Sequence, residues 1–389
     1  MLYRTNPKNG VAHSLLGFGA MRLPGSQTDP TGINVDEAVA LLRHGMDKGI
    51  NYIDTAYTYN EGGSEQVVAK ALQGGYGDKV MVATKLPTMR LLKAEEHMQY
   101  LDESRKRLDR DYIDYYLLHG LKERYWPTVK KLDTIDFLVK MKAEGKIKNM
   151  GFAFHGETVD FLKEIVEAGP WDFVQIQYNY LDTHFQAGTE GLRYLGEQGL
   201  AVIVMEPLRG GALANMIPDN IQQRFASLET QRSPAEWGMR WVADHPEVTT
   251  ILSGMNTMAQ IDENCAVLSD AKPGSLTEKE LADIESIAEE YRKLILHPCT
   301  SCGYCRNGCP QKIEIPLIIN LRNDAAMFGD FGNLRFQINH IIRTPPSTCI
   351  DCKKCEEVCP QHLLVSEILK ECSQYEDESL QYWRDYVED

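Results

Sequence analysis

Eight of the ten cysteines of this 389-residue chain fall into two copies of one pattern. The first run is Cys299, Cys302, Cys305, Cys309-Pro310, and the second is Cys349, Cys352, Cys355, Cys359-Pro360. Each reads C-x2-C-x2-C-x3-C-P, the spacing with which bacterial ferredoxins hold [4Fe–4S] clusters through thiolates. In two-cluster proteins the fourth cysteine of one run ligates the other cluster. The expected sets are therefore Cys299, Cys302, Cys305 and Cys359 for one cluster, and Cys349, Cys352, Cys355 and Cys309 for the other. Four-cysteine zinc sites are the alternative, but they are built from two C-x2-C pairs and have no use for a third cysteine at the same short step. A disulfide framework fits less well, because no secretion signal is read at the start of the chain. Cys265 and Cys372 lie outside both runs and are expected to be small buried hydrophobes.

A second group ends three apolar runs. Asp54 closes NYID, Lys85 closes MVATK and His119 closes DYYLLH, with Tyr59 five residues after Asp54. Each alone could be a loop-facing residue with no role, but an Asp, a Lys and a His ending three consecutive apolar runs, with a tyrosine nearby, are hard to explain so blandly.

These side chains need a scaffold that brings them together. Asn9-Gly10 marks the turn of a short hairpin within residues 2–16. After it, strand-like segments alternate with helical patterns. The strands are expected at residues 15–20, 52–56, 80–84, 113–118, 148–152, 173–177, 201–205 and 249–252. Helices are expected at 34–48, 64–72, 94–108, 134–144, 158–168, 188–198, 234–243 and 258–268. The first has Asn34 as its cap, Glu37 at the third position and Gly49 as its stop. Eight strands, each followed by a helix, predict an α/β chain folded as a (β/α)8 TIM barrel. In such barrels, polar residues at the C-terminal ends of the strands are the catalytic ones. Gly17-Phe18-Gly19 starts like a dinucleotide fingerprint but does not complete one, which counts against a Rossmann fold. A further helix at 277–296, with Thr277 and Glu280 as a capping box, closes the barrel and leads into the cysteine region. The stretch between the cysteine runs is too patterned for a linker and reads as helical. The expected division is thus a barrel over 1–290 and a small, largely α-helical, ferredoxin-like iron–sulfur domain over 291–389. The acidic, aromatic tail 374–389 is expected to dock as a terminal segment.

Composition is ordinary for a globular protein, at 43% hydrophobic and 25% charged. A net charge of −15 argues against nucleic acid or an anionic membrane as partner. No apolar run approaches a membrane span, and the expected location is the cytoplasm.

The segment NYIDTAYTYNEGGSE, with its Asp-to-Tyr spacing of five and Gly-Ser-Glu helix start, resembles the aldo-keto reductases over residues 1 to about 290. Barrel and cysteine tail together resemble a subgroup of that family with a C-terminal dicluster domain, found mainly in anaerobes. The resemblance implies Tyr59 as general acid and Lys85 as the neighbour that favours its phenolate. It also implies Asp54 as the partner of Lys85, and His119 as the residue that orients the carbonyl. NADP(H) or NAD(H) would supply the hydride. Implied cofactor contacts are Gly19, Gln175, Met205, Pro207, Leu208, Gly210, Gly254, Gln260, Glu263 and Asn264. Ala153-Phe154 stands where the family has Ser-Asn contacts to the carboxamide, and Met205 replaces the tyrosine that stacks on nicotinamide. Gly254 and Gln260 stand where many members carry the Lys and Arg that bind a 2′-phosphate, so NADH and NADPH both stay open.

Two readings follow. In the first, hydride moves between NAD(P)H and an aldehyde or ketone at Tyr59. In the second, the clusters exchange electrons with a ferredoxin-type donor or acceptor. Clusters pass one electron and nicotinamide passes two, so this reading requires a flavin or an unusual substrate in the barrel mouth. A barrel that has lost catalysis ranks last, because the tetrad is complete. Tyr57, Tyr125, Trp126, Phe154, Tyr180 and Phe185 are candidate walls of a pocket for an aromatic or cyclic substrate, and Arg22 and Arg209 lie near the mouth.

Overall fold

The computed structural model describes residues 1–26 and 32–377. The chain divides into two compact units. The first is Met1–Ala214 with Thr230–Ile284, and the second is Asn215–Glu229 with the chain from Glu285 onward.

The first unit is a closed barrel of eight parallel strands: β3 (Leu16–Gly19), β4 (Tyr52–Asp54), β5 (Met81–Leu86), β6 (Ile113–Leu121), β7 (Ile147–Phe154), β8 (Phe173–Gln177), β9 (Ala201–Met205) and β10 (Val248–Ser253). Each strand pairs with its sequence neighbour, and β10 closes the ring against β3. Every strand is followed by a helix, at Val35–Asp47, Gly63–Leu72, Glu95–Arg107, Thr134–Ala143, Val159–Glu167, Gly188–Glu197, Pro234–Ala243 and Met258–Val267. Asn34 caps the first of these, its side chain accepting from the Glu37 amide while its Nδ2 donates to Glu37 Oε2 at 2.8 Å. The Asn34 side chain thus caps the helix start, while the Asn34 amide donates to the Pro24 carbonyl.

Branched apolar residues on the outer faces of the strands pack against the helices in one continuous core. A smaller inner layer fills the barrel with Tyr52, Ala83, Tyr115, Leu117, Ala153, Phe173, Ala201, Ile203 and Leu252. Large and small side chains are mixed there, which lets the layers interlock at native packing density. Gly17 belongs to this fit: a Cβ at that position would overlap Leu252 and Thr250.

The predicted hairpin is β1 (Tyr3–Thr5) paired with β2 (Ala12–Ser14). It plugs the N-terminal end of the barrel. His13 is fully buried, with Nε2 2.6 Å from Tyr115 Oη, and the Asn6 and Asn9 amides donate to the same hydroxyl. Arg4 donates to the carbonyls of Ala243, His245 and Val248. Burial pushes His13 down to about 4.

Several strands and helices end one to three residues from their expected limits. Three helices outside the cysteine region escaped the sequence reading, one of them the four-residue Ala212–Asn215. Trp126–Lys131 begins on a Trp-Pro step that resembles a loop, and Asp219–Ala226 is a polar octamer that buries only Ile221 and Phe225.

In the second unit, helices Tyr304–Gly308, Ile315–Phe328, Phe331–His340, Lys354–Glu357 and Val365–Ser373 gather around Ile313, Ile318, Leu334, Ile338, Ile368 and Leu369. This is the helical cysteine region expected from sequence. Cys372 is buried in its core, and Cys265 is buried in the first unit. Of the acidic tail, residues 378–389 lie outside the described residues.

Candidate active site and cysteine centres

The C-terminal ends of β4, β5 and β6 deliver Asp54, Lys85 and His119 to one mouth. Tyr59 arrives on the turn that leads from β4 to helix 63–72. Lys85 is 1% exposed. Its ammonium donates to Asp54 Oδ1 at 2.5 Å, to the Thr55 carbonyl at 2.7 Å and to Tyr59 Oη at 3.2 Å. The ammonium therefore has all three protons engaged, which lets a buried charge persist. Gln175, on β8, donates Nε2 to the other Asp54 oxygen at 2.9 Å. The Tyr59 and His119 rings meet edge to face, with centroids 5.7 Å apart. The four side chains singled out from sequence thus form one connected group.

Burial lifts Tyr59 above the usual phenol value; Lys85 pulls it down, the direction the resemblance implies, without reversing the rise, and Asp54 adds to it. The phenol is therefore protonated beside the ammonium. For Lys85, burial acts downward, but Asp54 and Tyr59 outweigh it and the ammonium is held above its usual range. Burial, with help from Lys85 and His155, holds His119 well below the usual histidine range, so its imidazole is neutral. His119 Nδ1 is buried with no hydrogen-bond partner among the described residues. The Thr88 hydroxyl donates to the His119 carbonyl and fixes the end of the strand.

The implied cofactor contacts lie around the same mouth, engaged in varying degrees. Arg22, after β3, donates to the Gly210 carbonyl and lies 3.7 Å from Glu206, so the loops after β3 and β9 are tied together. Gly19 and Gly254 approach each other closely, and the Arg22 side chain packs on Gly254. Pro207, Leu208 and Gly210 form the loop after Met205, with Gly210 at φ 67°. Arg209 is 3.6 Å from Asp182. Three residues of the implied adenosine segment are committed to internal bonds. Gln260 Oε1 accepts from the Asn256 amide, Glu263 Oε1 accepts from the Ser233 hydroxyl, and Asn264 donates to the Ser253 hydroxyl. A nicotinamide fits the residues present in that Tyr59 and the neutral His119 stand together at the mouth, and Gly210 and Gly254 meet at Arg22 on the loops after β9 and β10. A 2′-phosphate finds no lysine or arginine on the segment from Gly254 to Asn264.

The expected aromatic walls need correction. Trp126, Phe154 and Tyr180 are core residues, buried to within a few per cent. Trp126 packs on Phe161 and donates Nε1 to Glu164. Tyr57 is held by Glu103 and Arg107. Tyr125 is half-buried and packs against the core, and Phe185 is half-buried.

In the second unit the cysteines do not group by run. One hollow is lined by Cys299, Cys302, Cys305 and Cys359, and another by Cys309, Cys349, Cys352 and Cys355. Each takes its fourth cysteine from the other run. Among the described residues no three His, Cys, Asp or Glu side chains are placed to hold a single metal ion. A lone ion needs its sulfurs about 2.3 Å from one point, whereas a polynuclear cluster needs a cavity between them. Burial pushes the Cys305 thiol up to about 12 and Cys355 up to about 11. Bound iron would reverse this, since ligating thiols are deprotonated outright.

Comparison with known proteins agrees with both halves. Residues 15–289 match the aldo/keto reductase family, and residues 298–364 match the 4Fe-4S dicluster domain. The chain is 28% identical to L-galactose dehydrogenase of Arabidopsis thaliana over 305 residues, covering 73% of this chain and 93% of that protein. It is also 28% identical to the NADH-specific methylglyoxal reductase of Escherichia coli over 268 residues, covering 57% and 79%. Among solved structures, the holo form of an aldo-keto reductase from Bacillus halodurans superposes with a TM-score of 0.62 at 27% identity, covering 74% and 96%. An aldo-keto reductase from Klebsiella pneumoniae in complex with NADPH shares the fold, with a TM-score of 0.60 at 24% identity and coverage of 74% and 96%.

Proposed function

This chain belongs to the aldo/keto reductase family, and from that premise we propose that its barrel reversibly reduces an aldehyde or ketone to an alcohol with NAD(P)H. The observation that carries this reading is the unbroken chain from Asp54 through Lys85 to Tyr59. Bound nicotinamide would supply a hydride to the carbonyl carbon. Tyr59 Oη, kept protonated by its burial, donates its proton to the carbonyl oxygen. The Lys85 ammonium, 3.2 Å away, stabilises the charge left on the phenol oxygen at that moment. Asp54 keeps Lys85 charged, and Gln175 keeps Asp54 in place. His119, neutral and edge to face with the Tyr59 ring, would orient the carbonyl oxygen toward Tyr59. Gly19, Gly210 and Gly254 would line the cofactor groove, with Met205 under the nicotinamide. The absence of lysine and arginine from the adenosine segment favours acceptance of NADH, and one relative is named an NADH-specific reductase.

Residues 291–389 are proposed as a separate iron–sulfur domain holding two [4Fe–4S] clusters with exchanged fourth ligands, supported by the two mixed cysteine cavities. A second reading rests on this domain: the clusters pass single electrons to a ferredoxin-type partner, with a flavin in the mouth as converter. Release of flavin on denaturing the purified protein would favour that reading, and its absence the first.

The test of the acid assignment is Tyr59→Phe. It removes only the hydroxyl, so nicotinamide should still bind while carbonyl reduction falls about 10²–10⁴-fold. Undiminished turnover would end the assignment.

A further inference from the structure

The turn that carries Tyr59 is held in an unfavourable shape by groups outside it. Asn60, Glu61 and Gly62 are consecutive left-handed residues, with φ of 48°, 54° and 92°. Only the last is a glycine, and non-glycine residues leave this region when nothing holds them. Within the turn the bracing is backbone only, the Gly63 amide donating to the Tyr59 and Asn60 carbonyls, while Asn60 Oδ1 is buried with no hydrogen-bond partner among the described residues.

One guanidinium fills the space beneath. Arg107, at the C-terminal end of the helix after β5, donates Nη1 to the Tyr57 carbonyl at 3.2 Å. It stacks on the Tyr57 ring at 4.3 Å, and it occupies the volume a Cβ on Gly62 would need. The same guanidinium pairs with Glu103 at 2.5 Å and with fully buried Glu65 at 3.3 Å. Glu103 in turn accepts from Tyr57 Oη at 2.7 Å. The other oxygen of Glu65 accepts from Thr84 Oγ1 at 2.6 Å, and Thr84 is the residue before Lys85 on β5. Arg107 thus grips the acid's turn at both ends and, through Glu65, the strand that carries the ammonium.

Building on the assignment of Tyr59 as the acid, we propose that Arg107 is a positioning residue that sets the distance between Tyr59 Oη and Lys85 Nζ. It touches neither substrate nor cofactor. A rigid planar fork suits this task, because it makes several directed bonds at fixed angles; a lysine supplies the charge without that geometry.

The experiment compares Arg107→Met, Arg107→Lys and Arg110→Met in the full-length holoprotein. Arg110 lies three residues further on and pairs with Asp114 at 3.2 Å, so its variant loses an ion pair without touching the turn. Turnover is read with NADH or NADPH and a panel of aldehydes. The ionisation of Tyr59 is followed separately by NMR of ¹³Cζ-labelled tyrosine, with Tyr59→Phe identifying the resonance. Arg107→Met is expected to lower kcat about 10–100-fold, the scale of a misplacement near 1 Å, with KM for the nicotinamide within about twofold. Its Tyr59 titration should shift, Arg107→Lys should recover only part of both effects, and Arg110→Met should change neither. Arg107→Met with unchanged kcat and an unmoved Tyr59 resonance, even with a lower melting temperature, would make the arginine purely structural and overturn the proposal. If Tyr59→Phe keeps full turnover, the acid assignment falls on its own, and the resonance still reports whether Arg107 positions the ring.

Discussion

Asp54→Asn isolates what the buried Lys85 charge depends on. The pair is nearly inaccessible, with side-chain exposures of 1% for Lys85 and 5% for Asp54, and the ions are 2.5 Å apart. The substitution keeps shape and one hydrogen-bonding oxygen but removes the carboxylate that pairs with the ammonium. Stripping one partner from a buried pair costs about 3–5 kcal/mol, because the other charge stays behind. At about 2–4 °C per kcal/mol for a domain of this size, the melting temperature should fall by roughly 6–20 °C at pH 7. The pH dependence carries the sharper test. In the parent, Lys85 is held above its unfolded value of about 10.4. Its contribution is fully present below that pH and is lost as pH rises through the folded value. Without Asp54, burial is the dominant influence and the folded value drops below 10.4. The unfolded chain then binds the extra proton, so stability rises with pH up to about 10.4. The assay is thermal denaturation at intervals from pH 7 to 11, read as the difference between variant and parent. That difference should shrink steadily on the alkaline side. A loss near 1 kcal/mol, the scale of an exposed pair, or a difference independent of pH, would refute the argument that Asp54 sustains a buried charge.

Two further outcomes follow from other parts of the chain. Cys309→Ser should damage the cluster bounded by Cys349, Cys352 and Cys355 and spare the one bounded by Cys299, Cys302 and Cys305; electron paramagnetic resonance of the reduced protein separates them, and loss confined to the first run would contradict the exchanged ligands. His13, buried at the barrel floor and pushed from about 6.5 to about 4, should withdraw about 3 kcal/mol of stability as pH falls from 6.5 to 4, because the unfolded chain takes the proton first. His13→Gln should flatten that part of the acid denaturation curve, and an unchanged slope would show that the floor is not the sensitive element.

The barrel was legible because its strands are short apolar runs separated by well-capped helices, Asn34 with Glu37 being the clearest case. The tetrad was legible because polar residues ending apolar strands have few structural uses. Cysteine spacing foretold the mixed cavities for a similar reason: four thiols per cavity leave little freedom. The unforeseen features depend on long-range geometry. Arg107 is one of many charged residues on a polar helix, and nothing local marks it as reaching back 50 positions to Tyr57. The raised Tyr59 phenol could not be read from its neighbour Lys85, because burial is set by the whole mouth. Residues 215–229, between strand 201–205 and helix 234–243, carry no local sign that they cluster with the cysteine unit. The aromatic residues expected on the pocket wall illustrate a general limit: a sequence shows that a ring is available, and only packing decides whether it faces core or cavity.

The most direct test of the central claim follows the hydride itself. Holoprotein would be incubated anaerobically with NADH or NADPH deuterated at both C4 positions and with a panel of aldehydes, and the alcohols analysed by mass spectrometry. The account predicts alcohol bearing one deuterium on the carbinol carbon, with the clusters' paramagnetic signals unchanged during turnover. Alcohol without that deuterium, or formed only when a reduced one-electron carrier is supplied, would contradict it.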